Sequence, residues 1–327
     1  MKKYSNIIIF LFAAWGVQAQ NRKQVSQFSL FQQYFNPALT GYEGSMVKTY
    51  YRDQWTGYDG APRTFFLSGE LNMAHLAGRM TPAQARNLEL APVKNALGLA
   101  ILRDHFGPFQ ETQFNASYGS RVRLTRTMSL RAGVALAYQL NRLNPEKVLV
   151  DDLSDPDYQR LFETDNNQTH KFDVNAGLML TEQNFYLGYA IHDLAKGKLI
   201  SGEQYYQNTY PLHHVVQAGY RRGLTDEFGL VFNGIYRYDS KLKETVEGQL
   251  KGVWDNTFWA GAGYRHNQAI TFITGVRIDQ FHIGYAREMA TGKADGINAG
   301  TNEVMITYHL VPLKFAKKVL SLSLIHI

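Results

Sequence analysis

Leu130-Arg131-Ala132-Gly133-Val134-Ala135-Leu136-Ala137-Tyr138-Gln139 alternates strictly, with Leu, Ala, Val, Leu and Tyr on the even positions and Arg, Gly, Ala, Ala and Gln on the odd ones. Successive side chains of a strand point to opposite faces, so one face is apolar and ends in an aromatic ring while the other is small or polar. The same parity returns downstream. Phe185, Leu187, Tyr189 and Ile191 oppose Tyr186, Gly188, Ala190 and His192; Phe281, Ile283 and Tyr285 oppose His282, Gly284 and Ala286; Val304, Ile306, Tyr308 and Leu310 oppose Glu303, Met305, Thr307 and His309. A soluble sandwich alternates too, but its core face would exclude Gly and ionisable groups. A wall between lipid and a polar lumen accepts both and sets aromatic rings at its two interfaces. The pattern therefore predicts an all-β protein, a transmembrane antiparallel β-barrel.

Composition agrees. The 327 residues include 20 Tyr, 19 Phe and 4 Trp, yet mean hydropathy is only −0.30, as expected when every second residue of a strand meets lipid. No apolar run reaches the ~20 residues of a spanning helix. The absence of Cys excludes disulfides, thiolate metal sites, Cys nucleophiles and a lipidated N-terminal Cys. Lys2 and Lys3, the apolar run Ile7 to Trp15 and the small residues Val17 and Ala19 together read as a secretory signal peptide over 1–19, cleaved before Gln20. Losing its two lysines lowers the formal net charge from +6 to +4, and no basic run is interleaved with aromatics, so nucleic acid is not an expected partner. At the other end, Leu322-Ser323-Leu324-Ile325-His326-Ile327 reads either as the translation of a sequencing-library adapter or as a short apolar tail.

Working outward from 130–139, alternating segments fall at 45–55, 62–70, 94–103, 109–121, 128–140, 171–181, 184–192, 212–223, 227–239, 243–253, 256–266, 268–277, 280–288 and 301–310, about fourteen strands. The expected organisation is a signal peptide at 1–19, an N-terminal plug-like segment at 20–44, a barrel at 45–310 and a tail at 311–327. If the first strand rises from the periplasm, tight turns such as Thr181-Glu182-Gln183 and Asp279-Gln280 lie on the periplasmic side. The long stretches 141–170, 193–211 and 289–300 then lie outside. The segment 72–93 departs from that rule. Thr81-Pro82 followed by Ala83-Gln84-Ala85-Arg86-Asn87-Leu88 reads as a capped periplasmic helix or, equally, as a loop folded into the lumen. Gln27-Phe28-Ser29-Leu30-Phe31-Gln32-Gln33-Tyr34-Phe35 is too aromatic for a free tail and is expected to line or plug the lumen.

Sites for chemistry are not evident. His213 and His214 are adjacent in a strand and point apart, the acidic stretch Asp151-Asp152 to Asp155-Pro156-Asp157 lacks the spacing of a calcium loop, and Gly261-Ala262-Gly263 precedes no helix. We therefore expect no catalytic residues, no cofactor and no metal. What stands out is Asn36-Pro37-Ala38-Leu39-Thr40-Gly41, then Tyr51-Arg52-Asp53-Gln54-Trp55-Thr56-Gly57-Tyr58-Asp59-Gly60-Ala61-Pro62-Arg63-Thr64. Lys48, Arg52 and Gln54 share one strand face, and Gly57, Gly60 and Pro62 permit a sharp turn between strands.

These stretches, with Leu97-Gly98-Leu99 and then Asp104-x-x-Gly107-Pro108, resemble the PorP/SprF family of outer-membrane proteins of the type IX secretion system of Bacteroidota. The resemblance runs over nearly the whole chain after the signal. Leu39-Thr40 stands where the family more usually has an aromatic-Ala pair. On this resemblance the motif residues are Asn36, Pro37, Gly41, Arg52, Gln54, Trp55, Gly57, Gly60, Ala61, Pro62, Thr64, Asp104, Gly107 and Pro108. It implies a non-enzymatic barrel embedded in outer-membrane lipid and associated with the secretion or gliding machinery. Its expected cargo is a secreted, adhesin-like partner bearing a type IX C-terminal domain, which it helps export or hold at the cell surface. The alternative is an outer-membrane diffusion channel for small or hydrophobic solutes.

Overall fold

A computed structural model describes residues 23–73, 95–148, 154, 156–160, 162, 167–196, 200–202, 211–241, 243–291 and 299–311. The expected signal peptide, the helix-prone part of 72–93, the acidic Asp151, Asp152 and Asp155, and the tail from 312 lie outside them.

Among the described residues fifteen strands form one sheet. In chain order they are β1 (Met46–Asp53), β2 (Arg63–Asn72), β3 (Asn95–Phe106), β4 (Phe109–Arg123), β5 (Ser129–Leu143), β6 (Gln168–Thr181), β7 (Phe185–His192), β8 (Ile200–Gly202), β9 (His213–Gly223), β10 (Phe228–Asp239), β11 (Lys243–Trp254), β12 (Phe258–Arg265), β13 (Ala269–Ile278), β14 (Phe281–Ala290) and β15 (Thr301–His309). The three-residue β8 pairs only with β6. The other fourteen pair antiparallel in sequence order, and β1 closes the barrel against β15, Met46 opposite His309 and Asp53 opposite Asn302. The circuit of fourteen strands is closed, as hydrocarbon demands of a spanning sheet, with β6 meeting β7 over Ala176–Thr181 and β8 over Thr169–Lys171.

Parity holds strand by strand. In β5, Leu130, Val134 and Leu136 are exposed while Arg131, Ala135 and Ala137 are buried. Outward aromatics gather at two levels. Phe114, Tyr138 and Phe172 cluster near the end that carries the long connections. Phe228 with Trp254 and Phe281 with Tyr308 cluster near the other end. Leu, Val and Ile fill the band between, the arrangement of a barrel whose rings sit at the lipid headgroups. At one of the short turns, the three-residue β11–β12 connection bends on Asp255 and Asn256, both with positive φ (48° and 50°), and closes by Thr257 N–H to the Trp254 carbonyl (2.9 Å).

Candidate functional site

Residues 23–45 run through the barrel lumen. Lys23 pairs with Asp104 and Glu111 near the long-connection end, and the chain then descends to Ser45, whose Oγ accepts from the Asn72 N–H (3.0 Å) at the other end. The segment bends through single turns at Phe28–Leu30, Gln32–Phe35 (α1) and Pro37–Leu39. Halfway down, Val25, Phe28, Leu30, Phe31 and Phe35 pack against Tyr50, Phe66, Leu102, Val215, Ile235 and Met305 of the wall. Phe31 sits edge-on to both Tyr50 and Phe66, each at 5.0 Å between ring centres. This layer is a dry core: these wall residues point inward yet are apolar, and they take up the plug's aromatics.

Charge fixes the plug above and below that layer. Arg52, directly opposite Glu303 across the closing seam, ion-pairs with Glu303 and with Glu288 (3.0 Å), and Arg265 bridges Glu288 (3.0 Å) to Glu247 (2.9 Å). All five are buried. The plug completes the set. Ser26 N–H donates to Glu303 (2.8 Å), Arg52 donates to Ser26 Oγ (2.9 Å) and the Tyr50 hydroxyl donates to Glu303 (2.8 Å). Lys48 holds Glu43 (2.6 Å), Glu70 (3.5 Å) and the Leu30 carbonyl (2.9 Å). For Lys23, burial acts to lower the pKa, but the carboxylates of Glu111 and Asp104 outweigh it and hold it raised. Removing one partner from such a buried set costs about 3–5 kcal/mol, so the network specifies one plug position more than it adds net stability.

The Asn36–Gly41 stretch lies against a track of glycines. Gly119 faces Gly133, and Gly133 faces Gly177, across β4, β5 and β6. A Cβ at 133 would fall on the Pro37 carbonyl, one at 177 on the Asn36 side chain, and one at 119 within 3.0 Å of the Thr40 carbonyl. Asn36 caps the turn by accepting from the Ala38 N–H (3.0 Å) and reaches the wall by donating to the Leu178 carbonyl (3.2 Å). Gly41, at φ +64°, donates to Glu70 (2.7 Å) and accepts from Asn72 (2.9 Å), and a Cβ there would overlap that of Ala96.

The remaining motif residues meet at the long-connection rim. The β1–β2 loop closes through Gln54 N–H to the Pro62 carbonyl (3.0 Å), with positive φ at Trp55, Gly57 and Gly60. Gly60 accepts from the Gly107 N–H (2.9 Å), Trp55 packs edge-on to Phe106, and the Pro108 carbonyl accepts from Asn144 (2.8 Å), so three neighbouring connections are tied together. Ala61 is buried among them. Thr64 donates to Asp104 (2.5 Å), the carboxylate that also holds Lys23. The structure thus brings the motif into two places, the plug's fastenings and the rim. Glu247, Arg265 and Glu288, which complete the Arg52 network, are absent from the motif. Parity marks such residues as inward, but only the register of distant strands joins them.

Between the plug and the long connections lies a cavity of about 240 Å³. Tyr34 and Phe35 form its floor, and Gln113, Asn115, Gln139 and Asn175 line it from β4, β5 and β6. Its charges pair among themselves: Lys23 with Glu111, and Lys171 with Asp193 and Asp173. Arg237 is spent on the plug, donating to the Lys23 carbonyl (3.1 Å) and to Gln24 (2.6 Å). On one side of the cavity β6 changes partner, which the sequence pattern did not disclose. Pairing of β6 with β7 ends at Ala176 and Ile191. Beyond it Leu194 N–H donates to the Val174 carbonyl (3.1 Å), Asn175 and Asp173 accept from the N–H groups of Asp193 (3.1 Å) and Ala195 (2.9 Å), and β6 pairs with β8 at 169–171. Among the described residues no group of three or more His, Asp or Glu could hold a metal ion.

Comparison with solved structures finds the toluene transporter TbuX of Ralstonia pickettii (10% identity, 85% of this chain and 92% of that one, TM-score 0.46). It also finds the toluene transporter TodX of Pseudomonas putida (9%, 88% and 94%, TM-score 0.48) and a Pseudomonas aeruginosa FadL homologue (11%, 84% and 93%, TM-score 0.42). No curated protein matches the sequence. A family model described as type IX secretion system membrane protein PorP/SprF matches residues 17–308.

Proposed function

Because this chain belongs to the PorP/SprF family of type IX secretion system membrane proteins, we propose that it is a docking barrel of that system, which helps export a secreted partner or hold it at the cell surface by the partner's C-terminal domain. The closed barrel and the family point to the outer membrane, and membership implies interaction with the secretion machinery. One observation carries the docking reading. The lumen is filled by residues 23–45 and fixed there by buried ion pairs, while the connections 144–167, 193–212 and 291–300 leave the sheet at one end and 73–94 leaves it at the other. A plugged cylinder with long connections at both ends suits a platform for a protein better than a conduit for solutes. With the first of these ends outside, the partner meets its three connections and the rim tied by Gly60 and Gly107, and the segment 72–93 faces the machinery.

The test is affinity capture of the tagged barrel from cells that secrete a protein bearing a type IX C-terminal domain. Copurification of that protein, reduced when 193–212 is shortened, is the expected result. Its absence, together with solute-selective conductance of the native barrel in planar bilayers, would turn the reading to a diffusion channel.

A further inference from the structure

The cavity above the plug has features of a binding site for a neutral ligand. Its cations and carboxylates are matched and engage each other or the plug, so no net charge is left to attract an ion. What remains is carboxamide, with the imidazoles of His192, bonded to the Phe35 carbonyl (2.8 Å), and His213 at one side. Gln113 and Gln139 face each other across β4 and β5, with Asn115 and Asn175 beside them on β4 and β6. Some of their hydrogen bonds are internal: Gln113 donates to Asn115 at the limit of reach (3.5 Å), Gln139 donates to Asn141 (3.0 Å), and Asn175 accepts from the Asp193 N–H. Each side-chain amide carries two donor hydrogens and an acceptor oxygen with two lone pairs. The Nδ2 groups of Asn115 and Asn175 and the Gln139 carbonyl oxygen therefore keep capacity. The floor adds the Tyr34 hydroxyl, 3.4 Å from Gln113, and two rings set edge to face (83°), with Arg237 lying over that of Phe35.

We propose that this cavity binds a neutral sugar unit, the end of a glycan presented from the long-connection side. Vicinal hydroxyls both donate and accept, which suits paired carboxamides, and the C–H face of a pyranose suits an aromatic floor. The plug closes the cavity from below, so an extended peptide cannot pass through it, and a peptide terminus would bring an unmatched charge into a balanced lining. The inference is independent of which protein docks at the rim.

The test uses the full chain, folded in an amine-oxide detergent that carries no sugar. It is titrated with the methyl glycosides of glucose, galactose and mannose, with glucosamine and glucuronate, and with the peptide Gly-Ser-Gly-Ser, followed by calorimetry and saturation-transfer NMR. At least one neutral glycoside should bind saturably, and the charged sugars about tenfold or more weaker. Gln113→Ala and Gln139→Ala should each weaken binding about tenfold, the loss of a hydrogen bond or two, with unchanged urea midpoints. The proposal is overturned if no neutral glycoside saturates a folded barrel, if binding survives both substitutions together, or if the peptide binds and the glycosides do not.

Discussion

Replacing Gly133 by Ala adds one methyl group where the structure has no room for it. Its Cβ would coincide with the Pro37 carbonyl group and press on the Ala38 nitrogen. Those atoms are backbone, in a turn capped by Asn36 and bonded to the wall through Leu178, so no flexible side chain can swing away. Overpacking of this kind costs about 1–3 kcal/mol, charged here against the seating of the plug turn and not against the lipid-facing wall. One or two kcal/mol raises the population of an unseated state about 5–30-fold. The chain has no cysteine, so Thr40→Cys at a fully buried position, which gives up a methyl and the hydroxyl bond to Ser117 (2.9 Å) in both backgrounds alike, installs a single reporter in that turn. When opening is fast relative to modification, its rate of reaction with a small maleimide follows the unseated population. It should rise about 5–30-fold in the Gly133→Ala background. Gly234 supplies the control: it lies on β10, away from the plug turn, and a Cβ there meets nothing closer than 3.8 Å. Equal labelling rates in Gly133→Ala and Gly234→Ala would refute the claim that the glycine track exists to seat the plug.

Other expectations follow from the same contacts. Phe31→Ala empties the ring site between Tyr50 and Phe66 and should cost about 3–5 kcal/mol in urea unfolding from lipid vesicles; a loss below ~1 kcal/mol means that the layer is not a packed core. Arg52→Ala leaves Glu303 and Glu288 buried with a partner lost and should cost about 3–5 kcal/mol, with Arg52→Ala/Glu303→Gln recovering part of it; strictly additive losses would show that the pair does not interact. Deleting 24–40 should raise single-channel conductance in planar bilayers, and an unchanged trace would show that this segment does not limit the lumen.

The barrel wall was legible because lipid imposes parity on every strand. Val134 and Leu136 face out, Arg131 and Ala135 face in, and the period alone says so. What the inward residues touch was not legible. Arg52 and Glu303 are 251 positions apart, and only the register of β1 against β15 makes them partners. Gly119, Gly133 and Gly177 read as small lumen residues; that they line up depends on the registers of two ladders, and that they face Pro37 depends on the path of the plug. Tyr50 and Phe66 are apolar on the polar-facing side, a departure from alternation that marks where a second layer must lie. The change of partner beyond Ala176 was not legible because Asp173 and Asn175 are ordinary lumen-facing polar residues by pattern, and only the fold shows that they accept from the 193–195 backbone.

The seam between β1 and β15 has a consequence for assembly. Lys48 and Arg52 on one side of it and Glu303 on the other all bind the plug, and the plug's two ends lie at opposite mouths of the cylinder. A chain so placed is more simply captured than threaded: the sheet curls around it, and the first strand meets the last with the segment already inside. Seam closure and plug capture then become one cooperative step, made late and across the largest separation in the sequence. Such a step is slow for reasons of chain entropy, and variants weakened at Ser26 or Glu303 should accumulate as open, unzipped sheets before they show any defect in the finished barrel.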